Sequence, residues 1–341
     1  MAAVSSYEAL LLVAFGGPES PDEVAPFLER VTSGRRIPAD RLAEVADRYN
    51  QMGGVSPING RLRSLMSSVA DELTASGSDL PVYWGNRNAA PLLADTVAEM
   101  RDAGVKTALA WVASPYSSHS TCRRYREDIE GACTQVGAGA PQIDVIRPHH
   151  DHPGLIQPAA DRLAEALSLL PAGNARVLFS AHSLPVDLAA TCDYEAQVTE
   201  AASLIADRAG LTESHTWEVV WQSRSGHPGT PWLEPDVCDR IDQLAAEGAP
   251  AVAVSPIGFP VENFEVAWDL DIEAADRAHQ AGMAFARARC IDDDPRFTAM
   301  ITDLVAERTD PTRTRRNALG ELGVRPDRCP QGCCPGPAPS A

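Results

Sequence analysis

The chain has 341 residues, of which 44% are hydrophobic and 22% charged, and this composition predicts a globular protein long enough for two domains. Its 47 acidic residues outnumber the 29 basic ones and give a net charge of −18, which argues against a general nucleic-acid binder and against docking on an anionic membrane surface. The apolar run 9–15 is far too short to span a bilayer, and no basic leader precedes it. We therefore expect a cytoplasmic protein without stable membrane association.

Strand-like apolar runs alternate with amphipathic helical stretches along the chain. The predicted strands are 9–15, 81–84, 107–113, 142–146, 176–180, 218–221, 251–255 and 283–286. The predicted helices are 21–31, 39–49, 58–75, 90–103, 120–135, 152–170, 194–209, 235–247 and 271–281. Strands that alternate with helices in this way indicate an α/β fold with parallel sheets covered on both faces.

Eight strands can close into one barrel or form two four-stranded sheets, and we favour two sheets. The stretch PAGN at 171–174 is typical of a boundary between domains. From about residue 311 the composition shifts to arginine, proline and glycine. We therefore predict an N-terminal domain over 1–172, a C-terminal domain over 173–310 and a docked extension over 311–341.

His182 follows the predicted strand 176–180, and in open parallel sheets ligands bind at the carboxyl ends of strands. Imidazole exchanges protons near neutral pH and is the commonest metal ligand in proteins. The alternative is a loop histidine that only hydrogen-bonds nearby carbonyl groups.

The segment 262–273 holds five acidic residues and no basic one. Glu262, Glu265, Asp269 and Glu273 are spaced to line one face of a helix, where like charges repel unless a cation or a proton compensates them. Oxygen ligands in a row suit a hard cation and can relay protons. The alternative, a solvated acidic surface, is disfavoured by the large apolar residues between the acids.

Three cysteines, Cys329, Cys333 and Cys334, lie in the last 13 residues. Thiolates this close can bind a metal, with a fourth ligand from elsewhere in the fold, either Cys122 or Cys192. Spacing alone does not decide between zinc and an iron–sulfur cluster. The alternative is a tail with incidental cysteines.

The segment 26–66 is basic within this acidic chain and includes Arg35 and Arg48. Arginines there can clamp the carboxylates of a ligand through paired hydrogen bonds. The alternative is an ordinary helix whose charges pair at the surface.

Several motifs together resemble the ferrochelatase family over about residues 7–310. They are LVAFGGP at 12–18, YNQMGGVSPI at 49–58, FSAHSLP at 179–185, WQSRSG at 221–226, and PIGF at 256–259 with the acidic run 262–273. The resemblance implies two Rossmann-like domains with parallel four-stranded sheets around a central porphyrin cleft, where ferrous iron enters a porphyrin and two protons leave.

The resemblance also implies roles for individual residues. His182 and Glu265 match the catalytic pair that accepts protons or holds the substrate iron, and Asp269 and Glu273 match an acidic path for metal or protons. The expected substrate-binding residues are Phe15, Arg35, Arg48, Tyr49, Ser56, Gln222 and Ser223.

The arginine-rich character and the cysteine-bearing tail resemble the actinobacterial branch of the family. That branch implies coproporphyrin III as substrate and a [2Fe–2S] cluster on Cys329, Cys333, Cys334 and Cys122, with zinc as the alternative. Other candidate functions are a protoporphyrin IX ferrochelatase, a chelatase for cobalt or nickel, and a non-catalytic tetrapyrrole carrier. We expect a monomer that makes only transient contacts with neighbouring enzymes of haem synthesis.

Overall fold

The structure, a computed structural model, describes residues 7–33, 37–171, 173–211, 215–225 and 229–337. Within these ranges eight strands form two four-stranded, fully parallel sheets, which confirms the α/β prediction. The predicted substrate residue Arg35 lies outside the described residues.

The first sheet has the order β2-β1-β3-β4 and the second the order β6-β5-β7-β8, so the two sheets share one topology. The strands are β1 (Ala9–Ala14), β2 (Val82–Asn86), β3 (Thr107–Val112), β4 (Gln142–Val145), β5 (Arg176–His182), β6 (Trp217–Gln222), β7 (Ala251–Ser255) and β8 (Ala284–Arg287). In each sheet the chain reverses its direction of travel beside the first strand, which places a topological switch point there.

Helices cover both sheets. They are α1 (Pro21–Thr32), α2 (Ala39–Gln51), α3 (Ile58–Ala75), α4 (Leu93–Asp102), α5 (Arg124–Val136), α6 (Pro153–Ser168), α7 (Val186–Ala189), α8 (Tyr194–Arg208), α9 (Val237–Ala246), α10 (Ala275–Gln280) and α11 (Pro295–Thr309). Two π-helical segments, π1 (His119–Arg123) and π2 (Val266–Ala274), run directly into α5 and α10.

Strands β1 and β7 are almost entirely apolar because helices bury them from both sides. Every residue of β1 and β7 is buried, and the largest core cluster contains side chains from both sheets. Helix α6 packs on α8 and β7, and α11 packs on both α3 and α6. The two halves therefore share a continuous apolar core rather than meeting only at a linker.

The sequence prediction missed α7 and α11 and placed a single helix over 271–281. Asp294 accepts a hydrogen bond from the backbone of Arg296 and caps α11, whose first residue is Pro295. Both residues are typical helix-start signals. Strand β5 also extends to His182, so this histidine is the last residue of a strand and not part of the loop after it.

The extension that follows α11 is held by arginine–carboxylate pairs. Arg313 pairs with Asp303 of α11, and Arg316 pairs with Asp327. Arg325 pairs with Asp193, just before α8, at 2.7 Å. The extension thus contacts α11 and the start of α8. Within the described ranges, no helix is long and apolar enough to cross a membrane.

Candidate active site

His182 stands at the carboxyl end of β5, at the switch point of the second sheet. Its Nδ1 lies 2.6 Å from the carbonyl oxygen of Ser183, which can only accept, so Nδ1 carries a hydrogen and Nε2 faces outward. The Tyr194 hydroxyl donates to the His182 carbonyl at 3.0 Å and fixes the strand end. Gly258 permits the next loop to approach, since a Cβ there would lie 2.6 Å from the Cα of Ala181.

Glu265 faces His182 from the helical residue that directly precedes π2. Its Oε1 lies 3.6 Å from His182 Nε2, and the two side chains are 41% and 32% exposed. Burial alone would lower the pKa of His182, but the charges of Glu265 and Asp269 and the hydrogen bonds to Glu265 and Ser183 outweigh it and raise the pKa to about 9. At neutral pH the imidazole therefore holds a proton beside the Glu265 carboxylate, and the pair can exchange that proton with solvent or ligand.

Asp269 lies one turn along π2 from Glu265 and is buried. Its Oδ2 accepts hydrogen bonds from the Ser223 hydroxyl and, at 3.2 Å, from Gln222 Nε2. Burial raises the pKa of Asp269 to about 7, because the two hydrogen bonds only partly offset the burial and the neighbouring carboxylates. Asp269 can therefore exchange a proton at neutral pH.

Gln222, the last residue of β6, and Ser223, the residue that follows it, supply these two donors. Ser223 has a φ of 60°, which is uncommon for a residue other than glycine and aims its hydroxyl at Asp269. Gln222 also donates to the carbonyl of Glu265 at 3.3 Å. The predicted substrate residues Gln222 and Ser223 thus contact the acidic residues directly.

Glu273 lies at the outer end of the acidic row. Trp268 Nε1 donates to its Oε1 at 2.9 Å, and Arg48 of α2 approaches the same oxygen at 3.4 Å. Glu262 does not belong to the row, because it precedes the helix and binds Arg287 at 2.6 Å. The row therefore runs over Glu265, Asp269 and Glu273.

The π-helical geometry was not foreseen, and it departs from the predicted α-helix over this run. Segment π2 spans nine residues, whereas most π-helical segments are single turns that often mark functional sites. Asn263 caps its start, since its Oδ1 accepts a hydrogen bond from the Val266 amide at 3.0 Å.

Residues of the first half form the facing wall. Tyr49 is buried, and its ring stacks on Phe264 with centroids 3.6 Å apart. Phe15 follows β1, is 36% exposed and contacts Phe27 edge-on, while Ser56 is buried beside Gly17. The structure thus brings Arg48 and Tyr49 to the acidic helix and leaves Phe15 as the exposed aromatic of this wall.

The tail cysteines meet Cys122 of π1. Cys333 Sγ and Cys334 Sγ are 3.5 Å apart, and a hydrogen bond from Cys334 to the Cys122 sulfur lowers the pKa of Cys122 to about 7. Cys192, the other candidate fourth ligand, instead donates to the carbonyl of Leu188 at 3.4 Å. We call Cys122, Cys329, Cys333 and Cys334 the cysteine group.

A cavity of about 370 Å³ opens beside the cysteine group, between α5, β4 and the extension. Arg126 is among its lining residues, and its positive charge helps to lower the pKa of Cys122. Burial raises the pKa of Cys329 and outweighs the same charge there. Sequence reasoning missed Arg126. Its place one turn after Cys122 on a predicted helix was the available signal.

Sequence reasoning also missed Phe264 and Trp268 as the residues that join the two walls. Both were noted only as large apolar residues between the acids. Their partners, Tyr49 and Arg48, lie more than 200 positions earlier, so only the fold reveals these contacts.

Comparison with known proteins gives concordant matches. The description of the family model that matches residues 7–309 is ferrochelatase. Coproporphyrin III ferrochelatase of Streptomyces coelicolor is 44% identical over 98% of this chain and 95% of its own length. The enzyme of that name from Nocardia farcinica is 46% identical over 96% of both chains. A ferrochelatase of Rhodopirellula baltica is 45% identical over 98% of this chain and 95% of its own length.

Among solved structures, SirB from Bacillus subtilis with Fe3+ matches with a TM-score of 0.54 and 12% identity, over 91% of this chain and 98% of that one. At this identity the match concerns the fold alone. It places the two sheets in a chelatase-like arrangement.

Proposed function

The chain belongs to the ferrochelatase family and is a metal chelatase, and from this premise we propose that it inserts ferrous iron into coproporphyrin III. The products are Fe-coproporphyrin III and two protons: two pyrrole N–H bonds break, four iron–nitrogen bonds form, and no electron is transferred. The observation that carries the proposal is the His182–Glu265 pair, backed by Asp269.

The reaction needs a proton acceptor next to the porphyrin nitrogens. His182 Nε2 faces away from its own backbone and takes the proton when the imidazole is neutral. Glu265 stabilises the resulting imidazolium, and Asp269, with a pKa of about 7, passes protons toward Glu273 and the outside. The same carboxylates offer oxygen ligands to the incoming ferrous ion.

The identity of the porphyrin rests on the relatives named above and on the arginines near the first wall. Glu44 pairs with both Arg41 and Arg48, and Glu19 pairs with Arg63. All three pairs are at least partly exposed. Such pairs contribute less than about 1 kcal/mol. A substrate carboxylate can therefore replace the protein carboxylate at little cost, and a tetracarboxylate gains more from this exchange than a dicarboxylate.

An anaerobic assay with ferrous iron tests the proposal by following porphyrin absorbance. We expect insertion into coproporphyrin III to be faster than into protoporphyrin IX and faster with iron than with cobalt. His182→Ala should abolish turnover, and the matched variant His279→Ala, at an exposed position on α10, should not. Tight porphyrin binding without insertion would instead identify a carrier.

We further propose that the cysteine group holds a [2Fe–2S] cluster. The contacts of Cys122 with Cys334 and of Cys333 with Cys334, and the thiolate-favouring charge of Arg126, suit four thiolate ligands. A bound cluster supplies one-electron chemistry, which iron insertion does not consume. The visible spectrum of the purified protein tests the assignment, and a colourless protein with one tightly held zinc would contradict it.

A further inference from the structure

A further cluster of metal-ligating side chains shares no residue with the His182 site or with the cysteine group. The loop after β4 contributes His150 and Asp151, and α8 contributes Glu200. A ring nitrogen of His150 and a carboxylate oxygen from each acid all lie within 4.8 Å of one another. His150 and Asp151 are 0% and 1% exposed, so this cluster is interior and not a solvated acidic patch.

The charges of this cluster are not balanced. Among the ion pairs of the described residues, Glu200 pairs only with His150, at 2.8 Å, and Asp151 pairs with no cation. Asp151 Oδ1 is buried and has no hydrogen-bond partner in the described part of the chain. A buried carboxylate without a counter-charge is costly, so a further cation would stabilise two acids that share one imidazole.

The extension closes the cluster with backbone amides. Gly320 N donates to Asp151 Oδ2 at 3.3 Å, and Leu322 N donates to Glu200 Oε1 at 2.9 Å. These bonds use Asp151 Oδ2 and Glu200 Oε1. Asp151 Oδ1 is left without a hydrogen-bond partner among the described residues, and Glu200 Oε2 lies 2.8 Å from His150 Nε2. A Cβ at Gly320 would collide with the Glu200 carboxylate, so glycine is required for the extension to approach.

We infer that His150, Asp151 and Glu200 form a structural site for a divalent transition metal, with Zn²⁺ as the best-suited ion. One imidazole and two carboxylates are common zinc ligands, and the distances need only small adjustments to reach coordination. Binding releases any proton shared by His150 and Glu200. The metal would connect the β4 loop, α8 and the extension, three parts of the chain that are far apart in sequence.

Cobalt titration tests the site in the full-length, chelator-washed protein carrying Cys329→Ser, Cys333→Ser and Cys334→Ser. These changes remove thiolate ligands, so any remaining cobalt spectrum must show weak visible bands without a sulfur charge-transfer band. We expect Asp151→Asn and Glu200→Gln each to weaken one cobalt equivalent by at least about 100-fold. The control Asp207→Asn, an exposed carboxylate on the same helix, should change nothing. Identical titrations of all three variants would overturn the inference.

A measurement on the unsubstituted protein removes dependence on the folding of the variants. We expect saturating Zn²⁺ to slow hydrogen exchange at the amides of residues 319–322, with no such effect from Mg²⁺. Exchange at these amides that is equally fast with and without Zn²⁺ would count against the site. Iron insertion by the same sample reports separately on the proposed function, since the two sites share no residue.

Discussion

The pKa values of two histidines, His149 in the first half and His182 in the second, are shifted in opposite directions. His149 follows β4, packs against Trp111 with ring centroids 5.9 Å apart, and burial lowers its pKa to about 3. His182 ends β5 beside Glu265 and Asp269, and its pKa is raised to about 9. Both are histidines near the carboxyl end of a parallel strand, His182 as its last residue and His149 four residues beyond it. The carboxylates beside His182 account for the opposite direction of its pKa shift.

The largest test of this comparison removes the carboxylate next to His182. Glu265→Gln should lower the pKa of His182 toward its ordinary value of 6.5 and reduce kcat by about 10²–10⁴-fold, the usual contribution of acid–base catalysis. The pH–rate profile and the NMR titration of His182 measure both effects. Glu195→Gln, at an exposed position on α8, is the matched control. Retention of wild-type kcat by Glu265→Gln would remove this residue from the mechanism.

The next test uses the opposite signs of the two pKa shifts. The folded-state pKa of His149 lies below 6.5, so its contribution to stability is present above that pH and is lost as pH falls toward 3. His149→Phe keeps a ring beside Trp111 but cannot titrate. In this variant the free energy of unfolding should fall less steeply than in wild type between pH 6.5 and 4. Each unit of pKa difference between the folded and unfolded states corresponds to about 1.4 kcal/mol.

For His182 the slope is reversed. Its folded-state pKa is raised, so its contribution is present below pH 6.5 and is lost as pH rises through about 9. Urea unfolding of His182→Ala across pH 6–10 should show a flatter alkaline limb than wild type. If His149→Phe and His182→Ala changed the pH dependence of the free energy of unfolding in the same direction, the carboxylates would not distinguish the two sites.

A smaller effect is expected at Asp269. Asp269→Asn removes a charge that contributes less to the pKa of His182 than Glu265 does, and it removes one step of the proton path. We expect about a tenfold fall in kcat, measured above and below pH 7 because Asp269 itself titrates there. Asp271→Asn is the control two residues along, since Asp271 pairs with Arg287 on the other side of π2.

The smallest effect is expected at the opposite wall. Arg48→Met breaks a partly exposed pair with Glu273 and should raise the KM for coproporphyrin III about two- to fivefold at unchanged kcat. Arg41→Met, two turns earlier on α2 and paired with Glu44, tests whether any arginine of α2 has this effect. A fall in kcat without a change in KM would assign Arg48 to the acidic row and not to the substrate.

Much of the fold follows from local pattern, because apolar runs bounded by glycine and proline mark buried parallel strands. The two sheets and most strand bounds were predicted to within a few residues. The shared strand order of the sheets was not, since no repeat is visible in the sequence and topology depends on packing between distant elements. Helix α11 was missed, although Asp294 and Pro295 are helix-start signals.

For the site, the end of a predicted strand indicated His182 and the spacing of the acids indicated Glu265 and Asp269, and the structure groups them. The sequence could not indicate that His149 is inert, because the motif RPHHDH alone does not show which carboxylates face each ring. Nor could it separate Glu262 from the acidic row, since Arg287 reaches Glu262 only through the pairing of β7 with β8.

The extension has a practical consequence for handling the protein. Its anchors are mostly guanidinium–carboxylate pairs, such as Arg313–Asp303 and Arg325–Asp193, and guanidinium stays charged at any working pH. Alkaline buffer therefore does not release it, whereas ionic strength does, because charges are screened over about 10 Å at 0.1 M salt. The deeply buried pair between Arg147 and Glu307 of α11 is shielded from ions. Strong salt should therefore loosen the extension first and leave α11 in place.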